Sequence, residues 1–120
     1  MKNLILAFLM FSLSTYSAEL TVENLMIEII KNEIKHPKIV LRQAILETGW
    51  FKSYNCKKRN NIFGWYNGDY LEFNTWEDCV KYYKRWQDRK YKGGDYFEFL
   101  TRIGYASDED YIWKLKHIKL

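Results

Sequence analysis

The chain is short of the residues that build metal centres and covalent staples. Its 120 residues include two cysteines and two histidines. There is no CxxC pair, and His36 and His117 stand alone, which excludes the usual zinc frameworks. Pro37 is the one proline, and there is no internal repeat, low-complexity tract or length for a second domain. One apolar run, Leu4 to Leu13, is too short to cross a bilayer comfortably as a helix. No cysteine follows it, which argues against a lipoprotein anchor. Lys2 precedes the run, and small polar residues follow it to Ser17-Ala18, the layout of an export signal. Thr15 and Ser17 suit cleavage after Ser17, and an uncleaved N-terminal anchor is the alternative. Residues 1–18 are therefore assigned to a signal peptide, and residues 19–120 to one exported domain. Cys56 and Cys79 are the candidate pair for a disulfide in an oxidising compartment.

Aromatic residues, by contrast, are abundant: five Trp, ten Tyr and seven Phe. A domain of about 100 residues has only a modest core, so some of these rings are expected along a groove. Flat rings there stack on sugars or bases. The net charge of +4 suits an anionic partner such as a wall polymer or membrane surface, or else marks an ordinary solvated surface. Export takes nucleic acid out of reach.

Helical periodicity runs through most of the domain. Thr21 is a candidate cap for a helix over 21–35, with Leu25 and Ile29 inward and the pair Met26/Ile30 at the same spacing. Pro37 suits the first turn of a second helix, which repeats apolar positions at Val40, Leu41, Ala44, Ile45 and Thr48 and stops at Gly49. A polar, basic loop is expected over 52–61. Asn67-Gly68 between aromatic-rich runs is a strong hairpin signal, so residues 62–73 are expected to form a β-hairpin. Capping-box spacings at Thr75–Asp78, Asp95–Glu98 and Ser107–Asp110 open three further helices. The expected fold is α+β: a mainly helical domain with a small β-hairpin lobe flanking a cleft.

Glu47 lies beside the apolar stripe of the second helix, at its end. A carboxylate placed so is partly desolvated, and desolvation raises its pKa toward the range a proton donor needs. An ordinary exposed glutamate in a last turn is the competing reading.

Four pieces in order carry a resemblance: Gln43-Ala-Ile-Leu-Glu47-Thr-Gly-Trp50, Asn60-Asn-Ile-Phe-Gly64, Phe73-Asn-Thr-Trp76 opening a helix, and Tyr105-Ala-Ser-Asp108. Together they resemble the bacterial N-acetylglucosaminidase family of autolysins and flagellar peptidoglycan hydrolases, glycoside hydrolase family 73. The resemblance implies a lysozyme-like fold and hydrolysis of the β-1,4 bond after N-acetylglucosamine in peptidoglycan glycan strands. With the export signal, action in the periplasm, wall or medium is expected, by a monomer, and no metal or cofactor is indicated. It places the catalytic acid at Glu47 and a functional tyrosine at Tyr105. Asn60, Asn61, Phe63 and Gly64 would shape the cleft floor, and Trp50, Trp65 and Tyr66 would either stack on sugars or pack in the core. Tyr111 aligns with a less specific aromatic and reads as structural. Asp69 and Glu72 are the hairpin's candidates for a second carboxylate; without one, the substrate's own acetamido group would attack. Muramidase or lytic transglycosylase activity is a neighbouring reading, and a catalytically inactive wall-binding module is one of another class.

Overall fold

In the computed structural model, residues 17–120 are described. The expected signal peptide therefore falls almost wholly outside the described residues. No helix among the described residues is long and apolar enough to cross a membrane. Ser17 and Ala18 lie against the domain. The Ser17 hydroxyl and the Ala18 amide donate to the Glu77 carboxylate (2.6 and 3.1 Å), and the Trp76 indole donates to the Ala18 carbonyl (2.8 Å).

Six helices occur among the described residues: α1 (Val22–Lys31), α2 (Pro37–Thr48), α3 (Tyr54–Arg59), α4 (Trp76–Lys90), α5 (Tyr96–Ile103) and α6 (Tyr111–Lys116). Helix α2 packs against α1 and α6, and α1 also meets α4. Side-chain caps start most of them. Thr21, Ser53, Thr75 and Asp95 each accept a backbone N–H from three residues on, satisfying donors that a helix N-terminus leaves orphaned. Leu25, Ile29, Val40, Ile45, Val80 and Leu115 are fully buried, as their spacing predicts, whereas Ile30 faces solvent. The Ser107–Asp110 cap does not form. Asp110 stands at the start of α6 without a side-chain cap, and Asp108 Oδ1 accepts the Asp110 amide instead (2.9 Å).

The basic loop expected after α2 contains a helix, α3, capped by Ser53. The turn leading into it is tightly bent: Gly49, Trp50 and Phe51 all have left-handed backbone (φ 56°, 59° and 68°). For non-glycine residues that conformation costs about 1 kcal/mol or more each. Thr48 holds it in place. Its hydroxyl donates to the Ala44 carbonyl (2.7 Å) and accepts the Phe51 amide (2.8 Å), while its carbonyl accepts the Lys52 and Ser53 amides.

The expected β-hairpin lobe is absent, so the fold is helical rather than α+β. No strand occurs among the described residues, and residues 62–73 carry a single isolated bridge, Tyr66 to Tyr70. The Asn67-Gly68 turn is present, with Gly68 left-handed (φ 77°) and the Asn67 amide bonded to the Asp69 carbonyl. What fails is the ladder on either side of it. Asparagine amides take the backbone groups that strands would exchange. Asn61 Nδ2 donates to the carbonyls of Trp65 (2.9 Å) and Leu71 (3.0 Å), and its Oδ1 accepts the Trp65 amide (2.9 Å). Asn60, itself left-handed at the end of α3, donates to the carbonyls of Phe73 and Asn74. Phe63 meanwhile turns into the helical core, 1 % exposed.

Cys56 and Cys79 are both buried free thiols rather than a disulfide. Burial pushes the Cys79 thiol up to about 12, against the N–H groups of Ile62 and Phe63, which act in the opposite sense. Cys79 thus packs beneath the 61–65 loop.

Candidate active site

Glu47 occupies the last turn of α2, where the 62–66 loop crosses it. Gly64 is left-handed (φ 74°), and a Cβ at this position would lie 2.8 Å from Glu47 Oε2. Only glycine lets the loop backbone lie against the carboxylate in this way. Glu47 takes part in no hydrogen bond or ion pair among the described residues. Burial alone lifts its pKa from the ordinary 4.5 to about 7.

A cleft of about 410 Å³ opens on this carboxylate. It is lined by Glu47, the Phe63–Tyr66 loop, Trp86 and the Ile103–Ser107 turn. Gly104 ends α5 in left-handed backbone (φ 68°) and brings the Tyr105 amide back onto the Leu100 carbonyl (3.1 Å). The Tyr105 side chain then lies along the cleft wall, and its hydroxyl donates to the Phe63 carbonyl (2.9 Å). A second hollow of about 290 Å³ shares Glu47, Ala106 and Ser107 with the first and adds Asp108, Tyr111 and Lys114. Glu47 therefore borders both hollows.

The residues singled out from the sequence divide sharply. Glu47, Phe63, Gly64, Trp65, Tyr66 and Tyr105 come together on the cleft. Asn60 and Asn61 do not line it, and their amides brace the loop from behind. Trp65 borders the cleft but is packed edge-on against Tyr82, Trp86 and Tyr105 at 4.9, 5.3 and 5.8 Å. Its buried Nε1 has no oxygen or nitrogen partner and faces the Cys79 sulfur, whose thiol pKa it acts to lower. Tyr66 is 63 % exposed and meets Tyr70 edge-to-face at 5.1 Å, which leaves ring surface open at the cleft mouth. Trp50 lines neither hollow. Asp69 and Glu72 are exposed and also lie outside both.

Sequence reasoning missed Trp86, which lines the cleft, and left Asp108 without a role. Asp108 reaches the second hollow beside Glu47 and pairs with Lys114 (2.5 Å), which holds its carboxyl below the usual range. A signal for Glu47's isolation was also there to be read. Between Glu33 and Asp69 the chain has seven Lys and Arg and no carboxylate but Glu47. No group of His, Cys, Asp and Glu able to hold a metal occurs among the described residues.

A helical domain with one buried carboxylate on an aromatic-walled cleft is compatible with a glycoside hydrolase. The family match agrees: residues 23–119 fit the glucosaminidase family model, described as mannosyl-glycoprotein endo-beta-N-acetylglucosaminidase, and the chain belongs to that family. The match bears out the resemblance to glycoside hydrolase family 73 read from the four motifs. Neither a curated protein nor a solved structure matches the chain.

Proposed function

We propose that this domain is an exported endo-β-N-acetylglucosaminidase that cleaves the β-1,4 bond after N-acetylglucosamine in peptidoglycan, with Glu47 as general acid. The observation that carries the reading is the Glu47 carboxyl, raised to about 7 by burial and packed on Gly64 beside both hollows. A carboxyl that is substantially protonated near neutral pH can give its proton to a departing glycosidic oxygen. Two hollows that share Glu47 suit cleavage within a strand, with sugar units on each side of the bond.

Bond cleavage follows the substrate-assisted route. Asp69 and Glu72 are away from the groove, and Asp108 is tied to Lys114. The substrate's acetamido oxygen then attacks the anomeric carbon as the glycosidic bond breaks and the leaving oxygen takes Glu47's proton. Water afterwards opens the cyclic intermediate and returns a proton to Glu47. Tyr105 and Tyr66 shape the site for the ring that undergoes this change.

The test is digestion of purified sacculi by the wild type and Glu47→Gln, with reduction and mass spectrometry of the products. Reduced N-acetylglucosamine ends from the wild type alone are expected. Reduced or anhydro muramic ends would assign the cut to the other bond. Retention on insoluble wall without any turnover would make the domain a binding module.

A further inference from the structure

The core behind Glu47 holds a chain of side-chain hydrogen bonds whose direction can be worked out. It starts at Gln87, whose amide is oriented by backbone. Its Oε1 accepts the Lys35 N–H (2.8 Å) and its Nε2 donates to the Lys35 carbonyl (2.9 Å). Nε2 must then also donate to the Tyr96 hydroxyl oxygen (3.0 Å). Tyr96 has one other partner, the Tyr83 hydroxyl at 2.6 Å, so its proton goes there. Tyr83 in turn donates to Gln43 Oε1, and Gln43 Nε2 donates to the Tyr111 hydroxyl oxygen (3.2 Å). Reversing the chain would strand the Tyr96 proton in the core without an acceptor, which a buried donor does not tolerate.

The consequence falls at the far end. Tyr111 accepts from Gln43 and has no acceptor for its own proton among the described residues. The protons of Tyr83, Tyr96 and Tyr105 are all committed, the last to the Phe63 carbonyl. Tyr111 lines the second hollow together with Glu47, and its ring stacks on Tyr105 with centroids 5.8 Å apart and planes 23° from parallel. Burial first, and the Glu47 carboxylate second, keep its phenol protonated. Gln43 lies one helical turn before Glu47 on α2, so one helix presents the acid and orients the tyrosine.

We propose that Tyr111 is a catalytic residue whose hydroxyl donates a hydrogen bond to an oxygen of the saccharide bound beside Glu47. This rests on the glycosidase reading and adds to it a second hydroxyl, distinct from that of Tyr105. A fixed donor aimed at developing charge is worth roughly a hundredfold in turnover.

The experiment compares wild type, Tyr111→Phe and Tyr91→Phe on solubilised peptidoglycan fragments, with kcat and KM separated and thermal unfolding recorded. Both variants remove one buried hydroxyl and keep the ring, but the Tyr91 hydroxyl bonds Gly94 and His36 outside the chain that ends at Tyr111, and Tyr91 lines neither hollow. Tyr111→Phe is expected to lower kcat about a hundredfold with KM within about threefold. Tyr91→Phe is expected to lose stability while keeping kcat within about threefold. Turnover by the wild type with Tyr111→Phe equally active would overturn the role of Tyr111 and leave the glycosidase intact. Equal loss of kcat in both variants would also overturn it, since loss of any buried hydroxyl would then suffice. Absence of turnover in the wild type would overturn both readings.

Discussion

Replacing Glu47 by Gln should make the protein more stable in a manner that depends on pH, and this can be measured without any substrate. The carboxyl is lifted from 4.5 to about 7 by desolvation. An acid raised in the folded state binds its proton more tightly there than in the unfolded chain. Its contribution to stability is therefore fully present below pH 4.5 and is lost as pH rises toward and through about 7. Each pH unit between the two values is worth about 1.36 kcal/mol, so the gap of about two and a half amounts to roughly 3 kcal/mol at most. Glutamine has no proton to lose. Other titrating groups contribute nearly equally to both proteins and cancel in the comparison. Urea unfolding of the two proteins at several values between about pH 4.5 and about pH 8 gives the difference directly. The stability of Glu47→Gln relative to wild type should climb across that interval by up to about 3 kcal/mol. A difference flat to within about 0.5 kcal/mol would refute the account of a desolvated carboxyl, and with it the basis for proton donation near neutral pH.

Three further substitutions probe the surroundings of the acid. Gly64→Ala places a Cβ 2.8 Å from Glu47 Oε2 at φ 74°; activity on sacculi should drop at least about tenfold, with roughly 1–2 kcal/mol of stability lost in urea melts. Asn61→Ala strands the Trp65 amide and the Leu71 carbonyl, while the Trp65 carbonyl keeps the Leu71 N–H; a loss of about 2–4 kcal/mol is expected by the same measurement, and a loss under about 0.5 kcal/mol would contradict the bracing role. Glu72→Gln should retain turnover within about threefold, because Glu72 lies outside the groove. Losses of three or more decades from both Glu72→Gln and Glu47→Gln would sink substrate assistance.

Much of the helical frame was legible, because it is written in short-range interactions. Thr21, Thr75 and Asp95 cap where their three-residue spacing to the next orphan amide says they should. Gly49 and Gly104 end α2 and α5 in left-handed backbone. Ser53 obeys the same rule, yet α3 is so short and polar that no apolar period announces it. The hairpin expectation failed for a different reason. Asn67-Gly68 specifies a turn, but a ladder also needs free backbone groups on both sides, and Asn60 and Asn61 occupy them. Asn60 and Asn61 looked like cleft residues and proved to be braces, a distinction invisible until their partners at 65, 71, 73 and 74 are known.

By itself the sequence determined that Glu47 would stand at the end of an apolar helix, followed by a glycine stop and a motif-bearing loop. Local spacing and capping settle such things within one or two turns of chain. Tertiary structure alone decided what that position means. Gly64 comes onto the carboxylate from 17 residues away, Tyr105 bonds the Phe63 carbonyl across 42, and Gln43 meets Tyr111 across 68. Burial by these distant segments raises the Glu47 pKa and leaves the proton of Tyr111 free, because desolvation and hydrogen-bond direction depend on what surrounds a group in space rather than along the chain.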